Sequence, residues 1–481
     1  LPRAARHQGQ AIAKPAFGRA AQILYQFGAM GTLQNHYGFD PRTPRHDAWS
    51  EMPSSKATVS LDKVLTVFLL IGVFSVSWHI VRPGNLNFTI SDAAFLMVVL
   101  GLVGTARLNL APFAGLSAAW LFSLILMLSS LFVSTLVNGE ITRWLIVALQ
   151  YSFAYLLLPM MFASFGHRTL QRCVVFYVLG VTFSQAVGNI ANIFFDYADT
   201  APYLGNNFIT GMGRLGAFSG NANNNSAMAG FALVLLFYVV DRRLMNPLLS
   251  VICALLLLWG LLSSASFGGF VICLSASALV MLVRWPHRAV VAFLAILAIG
   301  AAYMSSGLPL PAPFEQRVLG ALSGGGLEEA GTFTGRMELA EEAWRMAGDT
   351  LVVGLGTDGF RVVSMHQAPV HVFPLLLLTE AGLLGLIGFI ALLGLMWFRG
   401  LSGISDNPQR GIICIGVLLI FSLFTLTVPH MYARLWLAPI FLALLSCLQK
   451  EPIQARSRSS REIEKKRGAD VPKSDQLGIF Q

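Results

Sequence analysis

Charge is what this sequence has least of. Only 12% of its 481 residues are Asp, Glu, Lys or Arg, against about 25% in an ordinary soluble domain. That scarcity excludes a soluble multidomain enzyme, a disordered chain and a coiled coil, all of which need ionised side chains to stay in water. Cysteine is sparse as well. The five (Cys173, Cys253, Cys273, Cys414, Cys447) fall in or beside apolar runs, without C-x-x-C or metal-ligand spacing. Neither a disulfide framework nor a zinc site is expected. There is no D-x-D and no outward cluster of histidines; Asp196 and Asp199 form a D-x-x-D that reads as a turn and a helix cap. No internal repeat of useful strength occurs.

What remains is apolar: 55% of residues are hydrophobic, and the mean hydropathy is +0.65. With roughly 20 residues needed per span, twelve runs qualify, near 64–80, 88–105, 113–137, 143–163, 171–195, 225–240, 248–263, 267–284, 288–306, 371–397, 411–428 and 432–448. The expected fold is all-α: a polytopic membrane protein of about 12 transmembrane helices. Residues 1–63 form a basic N-terminal segment, 64–306 nine spans, 307–370 one large loop, 371–449 three more spans, and 450–481 a basic, disordered tail. No single apolar stretch in 1–63 resembles a signal-peptide core, so no cleavable signal is expected there.

The net charge of +9 does not point to nucleic acid, because eight Lys/Arg lie in 1–63 and eight more in 450–481, outside every span. Such tails meet anionic lipid headgroups. With both termini cytoplasmic, 25 Lys/Arg fall inside and 8 outside, the distribution the positive-inside rule favours. Without the tails the margin is 9 against 8. This orientation predicts that the 307–370 loop faces outward.

That loop opens with Pro309, Pro311 and Pro313 and carries eight acids against four arginines. Within it Met337, Ala340, Trp344 and Ala347 recur at helical spacing, predicting an amphipathic helix over 335–347 near the membrane surface. Glu341 and Arg345 are placed for an i,i+4 pair, and Gly348 for a stop. A second outward segment, 196–224, is rich in Gly and Asn.

Candidate chemistry sits in three outward places. Arg214 in G-R-L-G-A-F is either a snorkelling interfacial arginine or an anion ligand, since a guanidinium forks onto phosphate oxygens. Arg336 opens the amphipathic helix, where it either salt-bridges a nearby glutamate or adds to backbone N–H groups that favour an anion. The following glycines, Gly354-Leu355-Gly356, form either a tight turn or a phosphate nest. His371 is either structural or a general base, because a helix N-terminus beside arginines disfavours its imidazolium. Glu380 lies deeper and is expected to pair within the bundle.

Taken in order, these pieces resemble the O-antigen ligase/polymerase superfamily of bacterial membrane proteins. They are R-x-G-x-F…N from Arg214, S-A-S-F-G-G at 264–269, G-R with Trp344 eight residues after Arg336, G-x-G-x-x-x-F, and H-x8-E-x-G-x-x-G from His371. Two departures stand out: Val372 replaces the Asn that members commonly carry after the histidine, and Phe267 replaces an arginine, which makes the 264–269 turn structural. His366 is an alternative base, and His430 and Arg434 are possible contributors.

The resemblance implies a glycosyltransferase that moves an undecaprenyl-diphosphate-linked saccharide onto a saccharide acceptor, either lipid A–core or a growing O-antigen or exopolysaccharide chain. His371 would be the base and Arg214 and Arg336 the diphosphate clamp, with no metal and no cofactor. The motifs do not separate ligase from polymerase, though H-x8-E-x-G and the single late loop fit a ligase slightly better. The rival class is a transporter of a lipid-linked oligosaccharide or a small anion. It would need ionisable or helix-breaking positions inside the spans, and the sequence gathers its polar groups at the outer rim instead.

Overall fold

Each of the twelve apolar runs forms a helix, and the computed structural model describes residues 55–82, 88–306, 312–319 and 333–448. In chain order the helices are α1 (Ser55–Phe74), α2 (Ile90–Gly104), α3 (Ser117–Asn138), α4 (Ile141–Ala163), α5 (His167–Phe194), α6 (Tyr197–Leu204), α7 (Ala222–Asp241), α8 (Pro247–Ser263), α9 (Phe267–Arg284) and α10 (Pro286–Ser305). They continue with α11 (Phe333–Asp349), α12 (Gly359–Val363), α13 (Phe373–Asp406), α14 (Pro408–Phe424) and α15 (Arg434–Leu448), with a short helical turn over Ala312–Leu319 between α10 and α11. Among the described residues, the only strand-like pairing is one bridge, Ile209 to Leu215. Six helices among the described residues are long and apolar enough to cross a membrane, and four more are apolar but shorter. The protein is therefore an all-α membrane protein. Residues 1–54 and 449–481, with Pro309, Pro311, Glu328 and Glu329, lie outside the described residues, and α1 begins at Ser55, inside the segment expected to precede the first span.

Ion pairs show which helix ends meet. Arg107, just past α2, pairs with Asp62 of α1, and Arg284 at the end of α9 pairs with Asp241 at the end of α7. At the opposite end Arg143 in the first turn of α4 pairs with Asp358 (3.0 Å), and Arg434 at the start of α15 pairs with Asp92 in the first turn of α2. The long helices thus run alternately up and down. The described residues of the segments 75–89, 195–221, 306–372 and 425–433 all gather at one end, called here the loop end.

α7 is buried almost throughout, from Asn225 to Val239, and forms the centre of the bundle. The outer helices show the reverse pattern. Phe122 (67% exposed), Leu149 (62%) and Leu255 (62%) point away from the protein, as expected where lipid replaces water as the surrounding medium. Local irregularities are satisfied from within. Pro159 has no N–H to give the carbonyl four residues back, so the Tyr155 carbonyl accepts from the Trp120 indole instead (2.7 Å), beside the π-turn Phe153–Leu157.

The largest irregularity is in α13. At Gly382 the backbone takes φ 74° and ψ −171°, splitting the helix into Phe373–Ala381 and Leu383–Asp406. The second part alone rises about 36 Å at 1.5 Å per residue, enough for a hydrocarbon core of about 30 Å. The break therefore lies at the loop-end margin of the span. Backbone freed there must find partners inside the protein, and the 351–357 segment supplies them. Leu355 and Gly356 amides donate to the carbonyls of Thr379 (2.9 Å) and Glu380 (3.0 Å), and the Leu383 amide donates to Leu351 (2.8 Å). The Ser130 hydroxyl donates to the Ala381 carbonyl (2.6 Å). The same segment is pinned to α3 through Gly354 N to Ser134 Oγ (2.9 Å) and Thr357 N to Thr135 Oγ1 (3.0 Å). The Gly354–Gly356 turn is thus a tight packing turn: a Cβ at 354 would lie 2.2 Å from the Glu380 carbonyl oxygen.

The amphipathic helix of the large loop forms as α11, but its buried stripe differs from the expected one. Leu339, Ala343 and Ala347 face inward and α11 packs on α13, while Met337 and Trp344 are exposed. The apolar residues at 337 and 344 continue the helical period, yet the smaller side chains one turn-face over allow the closer approach. The expected Glu341–Arg345 pair is replaced by a bond from Arg345 Nε to the Glu341 backbone carbonyl (3.4 Å).

Candidate functional site

Arg214 sits on a tight hairpin at the loop end. Its carbonyl accepts from the Thr210 amide (2.9 Å), and its own amide donates to Thr210 Oγ1 (3.1 Å). Leu215 next to it is held from two helices: its amide donates to the Ser263 carbonyl of α8 (2.9 Å) and its carbonyl accepts from Asn225 of α7 (3.1 Å). Asn225 in turn exchanges two hydrogen bonds with Gln185 of α5 (2.8 and 3.1 Å), all of them buried. A buried amide pair of this kind fixes position, because either partner left alone would be an unsatisfied polar group.

The guanidinium itself is aimed by the α8–α9 turn. Nε donates to the Ser264 carbonyl (3.1 Å) and Nη2 to Asn223 Oδ1 (3.2 Å), which also accepts from Ser266 Oγ (2.9 Å). The 264–269 turn is structural, as its sequence suggested, and what it supports is Arg214.

Two further arginines lie within electrostatic reach of that side chain. Burial first, and then the charges of Arg317 and Arg336, lower the Arg214 guanidinium from its ordinary value to about 10, still cationic at neutral pH. Arg336, in the first turn of α11, is lowered by burial and by Arg317. Among the described residues neither Arg214 nor Arg336 has a carboxylate beside it, and Arg336 Nε is enclosed without a hydrogen-bond partner. Like charges crowded in this way are a standing electrostatic cost that a bound anion would relieve. The sequence singled out Arg214 and Arg336. It missed Arg317, whose position after a Pro-rich stretch carries no motif.

His371 lies within electrostatic reach of Arg336. Its Nδ1 lies 3.0 Å from the Pro369 carbonyl; a carbonyl can only accept, so the proton is assigned to Nδ1 and the Nε2 lone pair is left open. Burial, and then the Arg336 charge, hold its pKa below the ordinary 6.5 against the opposing pull of that carbonyl. The side chain is therefore neutral at pH 7.

A second polar centre lies next to His371. Arg143, Asp358, Glu380, His430, Tyr432 and Tyr151 surround a cavity of about 20 Å³, room for about one water. Asp358, at φ 62°, receives Arg361 (2.7 Å) and Arg143 (3.0 Å). Burial raises its pKa but these two cations outweigh it, so the net shift is downward. Burial brings His430 down to about 4, with Arg143, His371 and Arg361 adding to the effect and Asp358 opposing it. His430 also stacks on Tyr432, with ring centroids 5.2 Å apart.

Glu380 departs from expectation. It pairs with no cation; Oε1 is buried with no hydrogen-bond partner among the described residues, and the Asp358 and Phe360 amides face its carboxyl. The helix break two residues later turns it toward the cavity instead of a neighbouring helix. Arg434 is committed elsewhere, to the buried Asp92 and over the Phe153 ring (5.9 Å), so it joins two helices and does not reach the arginine group. His366 is exposed at the surface, 3.9 Å from Glu338. Asp196 and Asp199 form a capping box on α6, as expected.

Among the described residues no three His, Cys, Asp or Glu side chains converge as a metal site would require. What the loop end can do chemically is hold an anion with several charges between three arginines, and accept a proton at His371 Nε2. Compared with known proteins, the chain matches no family model and no curated protein.

Proposed function

We propose that this protein is a membrane glycosyltransferase of the O-antigen ligase type, moving a saccharide from undecaprenyl diphosphate to a saccharide acceptor, lipid A–core or a growing polysaccharide. The observation that carries the reading is that Arg214, Arg317 and Arg336, from three separate segments, lie within electrostatic reach of one another, with Arg336 also acting on the neutral His371. A diphosphate leaving group needs fixed positive charge where its own charge develops, and an attacking hydroxyl needs a base with an open lone pair. The proposed step is a direct displacement. The acceptor oxygen bonds to the anomeric carbon and its proton passes to His371 Nε2. The bond from that carbon to the diphosphate oxygen breaks with its electron pair, and the anomeric configuration inverts. Arginine charge replaces a metal in this scheme.

The reading places all twelve helices across the bacterial inner membrane, with both termini cytoplasmic and the loop end in the periplasm. That orientation rests on the 25-to-8 distribution of Lys and Arg. Purified protein given an undecaprenyl-diphosphate-linked oligosaccharide and an acceptor should release undecaprenyl diphosphate. A deletion strain profiled for lipopolysaccharide and secreted polysaccharide separates ligase from polymerase. Absence of both effects would overturn the proposal.

One observation favours the rival reading, transport of a lipid-linked oligosaccharide or small anion: α13 is broken at Gly382 next to the buried Glu380. Broken helices with a buried acid are where transporters bind. Proteoliposomes decide between the two, because a transporter moves its substrate unchanged and a transferase yields a new glycosidic bond.

A further inference from the structure

The opposite end of the bundle carries a cleft that the transfer reaction does not use. It has a volume of about 400 Å³ and is lined by Arg168, Gln171, Arg172, Val175, Phe176 and Leu244. Arg168 and Arg172 are one helical turn apart on α5 and both exposed, and among the described residues neither has an ion-pair partner. Among the described residues no carboxylate lines the cleft. Gln171 is tied by Nε2 to the Tyr238 hydroxyl (3.4 Å). Below the two cations the walls turn apolar. Leu244 enters because Arg243 adopts φ 50° in the α7–α8 turn, and Phe176 is 36% exposed on the outer face of the bundle.

The height of the cleft is set by helix length. α5 has 28 residues, about 42 Å at 1.5 Å per residue, and so exceeds a hydrocarbon core of about 30 Å. Its first turns lie at headgroup level, and Val175 and Phe176 lie at the start of the acyl region. Cations above and apolar walls below match an amphiphile with a phosphate head. We infer that this cleft binds an anionic phospholipid: the phosphate between Arg168 and Arg172, one acyl chain along Val175, Phe176 and Leu244.

The test is retention of phosphatidylglycerol by the purified full-length protein, read by native mass spectrometry and by thermal unfolding in mixed micelles against phosphatidylcholine. Wild type should keep bound phosphatidylglycerol and melt higher in it. Arg168→Gln and Arg172→Gln should each lower retention about tenfold, the scale of one charge-assisted hydrogen bond. Val175→Trp, which fills the apolar part and spares both cations, should lower it too. Arg288→Gln, an exposed arginine at the same end outside the cleft, should not. Equal losses at Arg288, unchanged retention in the α5 variants or in Val175→Trp, or no preference in wild type would each overturn the inference. If inorganic phosphate alone stabilises wild type as much as the lipid, the source is a soluble phosphate and the lipid assignment fails.

Discussion

Replacing Gly382 by alanine tests whether the break in α13 is imposed by the fold. At φ 74° and ψ −171° the position lies in a region of backbone space open essentially to glycine alone, and a side chain there costs about 1–3 kcal/mol. The added Cβ would also stand 3.0 Å from the carbonyl oxygens of both Leu351 and Val352, which are backbone and cannot swing aside. The helix could instead straighten. It would then give up the bonds from Leu355, Gly356 and Ser130 and that from Leu383 to Leu351. Each is worth about 0.5–1.5 kcal/mol net, partly offset by recovered helical bonds. Either route predicts a loss of roughly 2–4 kcal/mol. Gly394→Ala is the internal control: it lies in the same helix, and its Cβ would meet nothing within 4 Å. It should be neutral or stabilising by up to about 1 kcal/mol. Thermal unfolding of the two variants in detergent, with limited proteolysis across 350–357, reads the difference. A Gly382→Ala protein that melts with wild type and keeps the loop protected would refute the reasoning, because the break would then be a soft feature.

Three further outcomes follow from the loop end. His371→Ala should lower transfer by about 10²–10⁴ while His366→Ala leaves it near wild type. Wild-type rate should fall as acid protonates His371, below pH 6.5 because its folded pKa is depressed; retained turnover in His371→Ala would remove the base from the scheme. Arg214→Ala, Arg336→Ala and Arg317→Ala should each abolish transfer with the protein folded and inserted, and lysine should rescue only partly because it lacks the bidentate fork; full activity in all three would end the clamp. Glu341→Cys, exposed on α11, should react with an impermeant maleimide in intact spheroplasts, and the five natural cysteines, all buried, should not. Labelling only after lysis would reverse the topology and move the site to the cytoplasm.

What was legible in the sequence is what local periodicity and composition determine. Apolar runs locate all twelve helices because burying a backbone in lipid forces helical pairing wherever the run is long enough. The capping residues Asp196 and Asp199 announce α6 for a similarly local reason. Arg214, Arg336 and His371 stand out because each is a polar residue beside a glycine turn or a helix start. The side chains that complete these sites have no such marker. Arg317 joins the arginine group only because a short turn far along the chain folds back beside the Arg214 hairpin, with Pro313 against Gly213.

The break at Gly382 is the clearest case of a feature that local pattern conceals. Residues 371–397 read as one uninterrupted apolar helix, and glycine occurs in membrane helices without breaking them, as Gly394 does in the same span. What separates the two glycines is non-local: the 351–357 segment, carried by the large loop, supplies the hydrogen bonds that make an open helix stable at 382 and at no other point in α13. The same insertion decides the fate of Glu380. In a continuous helix its carboxyl would look for a cation on a neighbouring span. With the helix opened beside it, the carboxyl faces Asp358 and His430 across the cavity, and an acid that pattern alone assigns to packing becomes part of the polar centre adjoining His371.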